Sequence, residues 1–338
     1  MKNSTLKICD ATIQPGETAN LALPLPDFNS CLSFYMPIKI VHGKQNGPCL
    51  LIFSGIEGNE FNGIEIINRL LKNSSINSLN GTLIAIPIIN VLGLINSNSL
   101  PYDKKIEDCF PGREHGSYGE RIAKIFTQEI FSKTTHCIEL KTGGLNNDIL
   151  PQIYCDVSND ETKNLAKRFA TPVISNIGES NSLRETAKDL NIPLLVYKAG
   201  EAMRFDESSI KIGMAGVLNI LTALNMIDDK EADPIQMVKP VFTQEQDWAR
   251  CSRSGILVSH VTLGQFVNKN EVIGEISDPF NANLTEPVKA FRDGIIVGVN
   301  KNPLIFEGQN IFKIASFIDN NRAELSLEQW TLLQSEES

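Results

Sequence analysis

The residues in this chain that could do chemistry are carboxylates and amines more than histidines. Glu57 and Glu60 stand three apart in Gly55-Ile56-Glu57-Gly58-Asn59-Glu60, between the apolar run Leu50-Leu51-Ile52-Phe53 and Gly63. That segment reads as a buried strand, a glycine turn and the start of a helix. Glu107 and Asp108 precede Phe110-Pro111-Gly112, Lys141 follows Ile138-Glu139-Leu140, and Lys198 follows Leu195-Val196-Tyr197. Carboxylate-only ligation would favour a hard divalent ion such as Mg or Mn. A protonated lysine is not a metal ligand, and burial would have to depress its pKa greatly before it became one. Ammonium groups can instead neutralise carboxylates in place of a metal, at a cost in desolvation. His42, His115, His136 and His260 form no H-x-x-E or H-E-x-x-H arrangement, and each reads as solvated or locally hydrogen-bonded. His136, five residues before Lys141 on one strand, points to the opposite face.

The elements that must position these groups alternate. Short apolar runs at 38–41, 49–53, 82–87, 137–140, 172–175 and 193–197 read as buried strands. Segments 63–71, 119–131, 161–169, 182–190 and 207–224 carry helical periodicity. The alternation predicts a mainly parallel or mixed sheet between helices over residues 1–227. A polar, proline-terminated stretch then suggests a linker at 228–248, followed by a β-rich domain at 249–316 and an extension at 317–338. The β-rich part repeats itself: Gly255-Ile256-Leu257-Val258 is echoed by Gly294-Ile295-Ile296-Val297. The pair resembles the halves of a biotinyl/lipoyl-type barrel. Lys289 in Glu286-Pro287-Val288-Lys289-Ala290 lies only five residues before Gly294, too close for a carrier hairpin, and reads as an ordinary strand lysine.

A net charge of −9 over 338 residues, with no basic tract, argues against nucleic acid and anionic membranes as partners. Seven cysteines without a CxxC pair suggest reduced thiols in a cytoplasmic protein. The start of the chain has no signal-peptide run, and the apolar stretch 83–95 is too short to span a bilayer.

The four anchor segments together resemble the succinylglutamate desuccinylase/aspartoacylase family, relatives of the zinc carboxypeptidases. The resemblance runs over residues 8–316 and is densest at 49–215. It implies an eight-stranded mixed sheet flanked by helices, a smaller C-terminal β domain, and a zinc site that hydrolyses acylated amino acids. The family's first motif, Gly-x-His-Gly-Asp/Asn-Glu, places Glu57 at the histidine ligand and Glu60 at the glutamate ligand. Its Leu-Asn-Arg-x-Phe-Pro-Gly turn places Glu107 and Asp108 at the Asn-Arg pair that receives the substrate carboxylate. Its Ile-Asp-Leu-His-Thr-Gly strand end places Lys141 at the second histidine ligand and Glu139 at its supporting Asp. Lys198 stands where the family's proton-shuttling Glu precedes Ala-Gly-Glu, and Glu201 keeps a scaffold role. Of six positions that carry the chemistry, only Glu60 is retained.

No zinc or other cofactor is therefore expected, and the two lysines should form an ion-pair cluster with Glu57 and Glu60. The six positions sum to about −2, which predicts that anions are repelled and a cationic or neutral ligand is favoured. The resulting expectation is a non-catalytic homologue that binds or regulates, with an active paralogue or a peptide as partner and the oligomeric state left open. The alternative is a hydrolase of an amide or ester bond in an acylated amino acid or peptide with a rebuilt site: zinc or another metal on Glu57, Glu60 and a further carboxylate or His, or a metal-free lysine mechanism.

Overall fold

The computed structural model describes residues 3–27, 33–95, 104–176, 181–228 and 239–336. A twelve-stranded mixed sheet organises the molecule. In spatial order its strands are Phe266–Val267, Gly294–Asn300, Asn310–Phe317, Val241–Arg250, Val173–Asn176, Asn147–Cys155, Leu194–Gly200, His136–Lys141, Cys49–Phe53, Thr82–Ile86, Tyr35–His42 and Thr18–Pro24. The last eight belong to the N-terminal α/β part, and the first four continue the sheet from the C-terminal part.

The centre is parallel where it matters. Cys49–Phe53 pairs in parallel with both Thr82–Ile86 and His136–Lys141, and His136–Lys141 pairs in parallel with Leu194–Gly200. These strands are buried on both faces, which is why they read as unbroken apolar runs rather than alternating ones. Helices Phe61–Leu70, Asp160–Phe169 and Glu207–Ala223 cover one face, where Ile66, Leu70, Phe169 and Leu221 pack on Leu50, Ile52 and Tyr197. Tyr118–Glu129 and Ser182–Asp189 cover the other, against Phe53, Cys137 and Val196. The periodicity located all five helices to within two residues of their ends.

The strand Asn147–Cys155 is absent from the sequence reading, because Pro151 in its middle removes a ladder donor. The structure accommodates that proline where one partner gives way to another. Residues 147–149 pair with Gly294–Asn300, and residues 152–155 pair with Val173–Asn176.

The expected boundaries also move. Residues 241–248, read as linker, are strand: Val241–Arg250 pairs in parallel with Val173–Asn176 and antiparallel with Asn310–Phe317. Residues 229–238 of that linker lie outside the described residues. The two sequence repeats take different places. Gly255–Ser259 and Val272–Asp278 form a four-stranded sheet with Asn281–Lys289 and Leu304–Ile305. The long strands of the second copy, Gly294–Asn300 and Asn310–Phe317, join the main sheet instead, because Gly294–Asn300 also pairs with Asn147–Cys155. The copies exchange short middle strands: Phe266–Val267 pairs with Gly294–Asn300 and Leu304–Ile305 with Gly255–Ser259. Leu257, Ile273 and Ile276 of the small sheet share a core with Ile296, Phe312 and Ile314 of the large one. The β-rich region is thus continuous with the α/β sheet. Helix Asn320–Glu336 is the last element of the described residues.

Among the described residues no helix is long and apolar enough to cross a membrane.

Candidate functional site

Three of the four anchors meet at the C-terminal ends of three adjacent parallel strands, the place where open α/β sheets bind their ligands. Cys49–Phe53 runs into a turn that needs left-handed backbone at Gly55 (φ 63°) and Gly58 (φ 86°). At Gly58 a side chain would also strike the backbone of Gly93, so glycine is required twice over. The turn delivers Glu57, and Glu60 follows as the residue capping helix Phe61–Leu70. Glu60 Oε2 accepts a hydrogen bond from the Glu57 backbone N–H at 3.2 Å, which folds the carboxylate back under the turn. Glu139 and Lys141 are two apart on one strand and share a face, and Lys141 is the register partner of Lys198 on the next strand. Glu107 comes from a short 3-10 turn, Ile106–Asp108, held by a hydrogen bond from Ser182 Oγ to the Glu107 carbonyl.

The Lys141 ammonium is the hub. It donates to Glu107 Oε2 at 2.6 Å and lies 3.6 Å from Glu139, 3.7 Å from Glu57 and 3.9 Å from Glu60. Lys105 joins from the solvent side, 3.6 Å from Glu57 and 3.8 Å from Glu107. Glu60, Glu139 and Lys141 are buried, and Glu60 Oε1 and both Glu139 oxygens have no hydrogen-bond partner among the described residues. Glu57 is about a third exposed, at 36% of its side chain, so the cluster opens to solvent on that side.

Burial and charge set the protonation. Burial pushes the Glu60 carboxyl up to about 8, against the pull of Lys141, and raises Glu139 in the same way. Burial also acts on Glu107, but attraction and a hydrogen bond from Lys141 outweigh it and leave its pKa lowered. For Lys141, burial is outweighed by Glu139, Glu60, Glu107 and Glu57, so it stays a cation. Lys198 shows the reverse: burial first, then repulsion from Lys141, lowers its pKa. Among the described residues no hydrogen bond or ion pair reaches its amine.

Glu60 makes stability depend on pH. Its folded pKa lies above its unfolded one, so between about 4.5 and 8 the native state binds the extra proton. Stability from this group is full below that window and falls as pH rises through it, at up to about 1.4 kcal/mol per pH unit. In Glu60→Gln, denaturant midpoints measured from pH 5 to 8 should lose most of that slope. An unchanged slope would assign the pH dependence elsewhere.

Two expectations need correcting. Asp108 is exposed at the surface of its turn, so it does not line the cluster. Lys105, Glu139 and Arg184 do belong to it; the Arg184 guanidinium, from helix Ser182–Asp189, lies within electrostatic reach of Glu107 and Glu139 and, with Lys141, pulls against the burial that raises Glu139. Four carboxylates (Glu57, Glu60, Glu107, Glu139) thus face four basic groups (Lys105, Lys141, Arg184, Lys198), and the expected net −2 disappears. Lys105 and Arg184 carried no distinguishing motif, and only their proximity reveals them. His136 sits apart, paired with Glu161, and His42 is buried against Thr82 and the Ser4 carbonyl.

Zinc does not fit these residues. A tetrahedral zinc site needs neutral histidines, thiolates or carboxylates converging at about 2.0–2.3 Å. Here a cationic amine occupies the point at which the carboxylates converge. Among the described residues no group of three or more His, Cys, Asp or Glu is arranged to hold a metal ion.

Residues 46–224 match the succinylglutamate desuccinylase/aspartoacylase catalytic domain, and the chain belongs to that family. The N-alpha-acetyl-L-2,4-diaminobutyric acid deacetylase of Halomonas elongata is 25% identical over 317 residues, covering 89% of this chain and 91% of the relative. A succinylglutamate desuccinylase/aspartoacylase structure from Rhodobacter sphaeroides aligns with a TM-score of 0.78 at 20% identity, over 89% of this chain and 96% of that one. The product-bound ectoine utilization protein of Ruegeria pomeroyi also aligns at 0.78, with 19% identity over 88% and 95% of the two chains. At these identities the structures show a shared fold.

Proposed function

We propose that the protein hydrolyses the amide bond of a small acylated amino acid in a rebuilt, metal-free site. The observation that carries this reading is the pairing at two neighbouring strand ends: a lysine locked as a cation beside a lysine with no partner among the described residues. Kinship over nearly the full length with a deacetylase supports the reaction class.

Amide hydrolysis needs a group to polarise the carbonyl, a base for water and an acid for the departing amine. The Lys141 ammonium can donate to the carbonyl oxygen as negative charge develops there. Lys198, its pKa lowered, can take the proton from water. Glu60, protonated at neutral pH, can return a proton to the leaving nitrogen. Glu107 and Glu57 hold Lys141 in place, and Arg184 and Lys105 offer charge to the substrate's carboxylate in place of the missing Asn-Arg pair. Zinc carboxypeptidase-like ancestry and a biotinyl/lipoyl-like origin for the C-terminal strands belong to the same reading. So does a cytoplasmic location, supported by six described cysteines that are all free thiols.

The second reading is a non-catalytic binding or regulatory protein. It is favoured by one observation: Lys141 already has four carboxylates within 4 Å, which leaves little of its charge for a substrate. One experiment separates the two. Chelator-treated protein of known metal content is given N-acetyl-2,4-diaminobutyrate, N-acetyl-aspartate and N-succinyl-glutamate, and amine release is followed beside calorimetric binding. Turnover insensitive to chelator, with zinc well below one per chain, is the expected result. Binding without turnover would establish the second reading. Turnover lost to chelator and restored by zinc would sink the metal-free site.

A further inference from the structure

We propose that Lys198 also forms a covalent imine with a small 2-oxo acid. The inference stands on placement. Lys198 lies near the C-terminal end of strand Leu194–Gly200, is partly accessible, and has no hydrogen bond or ion pair among the described residues. Every other basic group of the cluster has a carboxylate at hand. Lys141 and Lys105 form ion pairs, and Arg184 lies within electrostatic reach of Glu107 and Glu139. Lys198 instead has Lys141 as its register partner on the neighbouring strand. An amine held in a desolvated site beside a second cation is the arrangement that makes lysine a carbonyl nucleophile. The lowered pKa of Lys198 agrees with this placement.

The chemistry balances without a further reactant. The Lys198 amine adds to the ketone carbon, a proton moves from nitrogen to oxygen, and the carbinolamine loses water to give the C=N bond. Glu60, the protonated carboxyl in the same cluster, can supply the proton that turns the hydroxyl into a leaving group. A 2-oxo acid is favoured over a neutral aldehyde because the Lys105 ammonium, on the solvent side of the cluster and only 3.6–3.8 Å from its present partners, can meet its carboxylate with a charge-assisted hydrogen bond. Glu57, about a third exposed, marks the side from which such a molecule can enter.

The test uses the full chain with pyruvate and sodium cyanoborohydride at neutral pH, which reduces an imine to a stable secondary amine. Intact mass followed by peptide mapping reads the result. One reduced adduct per chain, located on Lys198 and lost in Lys198→Met, is expected. Adducts scattered over exposed lysines such as Lys289 and Lys301, with Lys198 unmodified, would overturn the inference. So would no adduct at all. Hydrolysis is scored separately: labelling at Lys198 in a protein without deacylase turnover leaves the imine intact, whereas turnover without labelling removes the imine alone.

Discussion

Replacing Lys141 with methionine is expected to destabilise the protein by about 3–5 kcal/mol, the cost of leaving buried charge without its partner. The side chain fills a space bounded by four carboxylates, three of which are largely or wholly shielded from water. Methionine keeps most of the volume and removes the charge, so the loss reports electrostatics more than a cavity. The damage should grow as pH rises from 5 to 8. Carboxyls that can take up a proton escape the penalty at the acid end, while Glu107, held low by Lys141, loses its hydrogen-bonded cation and keeps only the solvent-side Lys105 at 3.8 Å and the more distant Arg184. Urea denaturation of the wild type, Lys141→Met, Glu107→Gln and the double variant measures it. The double variant should lose less than the two single changes combined, by about 1 kcal/mol or more. The same cycle with Glu57 should show weaker coupling, because Glu57 stands 3.7 Å away and is partly solvated while Glu107 is hydrogen-bonded at 2.6 Å. Additive losses at both positions would mean that the cluster is not a unit.

The second large effect is on turnover. Lys198→Met should lower kcat/KM for whichever acylated amino acid proves to be the substrate by about 10²–10⁴-fold, the range for a missing general base. The melting temperature should stay the same or rise, because the substitution removes a desolvated amine that has no partner among the described residues. The combination matters: a structural lysine would lose both together. A pH–rate profile adds a third readout. The wild-type rate should climb as Lys198 loses its proton and decline as Glu60 loses its own near pH 8, and Glu60→Gln should remove the second limb. Full activity in Lys198→Met would remove the lysine from the reaction.

Much of the scaffold was written locally. Runs such as Leu50–Phe53 and Thr82–Ile86 have no polar face to offer, so they could only be strands buried on both sides, and the helical stripes named the elements that cover them. Gly55, Gly58 and Phe110-Pro111-Gly112 marked the turns that carry functional groups. Pro151 hid a strand, because its missing donor is harmless only where two partner strands exchange places, a fact of long-range pairing. The internal repeat was visible, but not that its second copy would extend the main sheet, since strand partners far apart in sequence decide that.

For the site, the sequence by itself determined the residue types: lysines and carboxylates at the four anchors. It also placed them at strand ends and turns that had to converge. Only the tertiary structure decided who pairs with whom. It turned Glu107 inward onto Lys141 and left Asp108 in water, two adjacent residues separated by the twist of one short turn. It brought in Lys105, Glu139 and Arg184, and so exchanged a negative site for a balanced one. It also gave Lys141 and Lys198 opposite fates from the same side chain. Charge is additive along a sequence, but its energy depends on distance and on access to water, and both are set only when the strands are side by side.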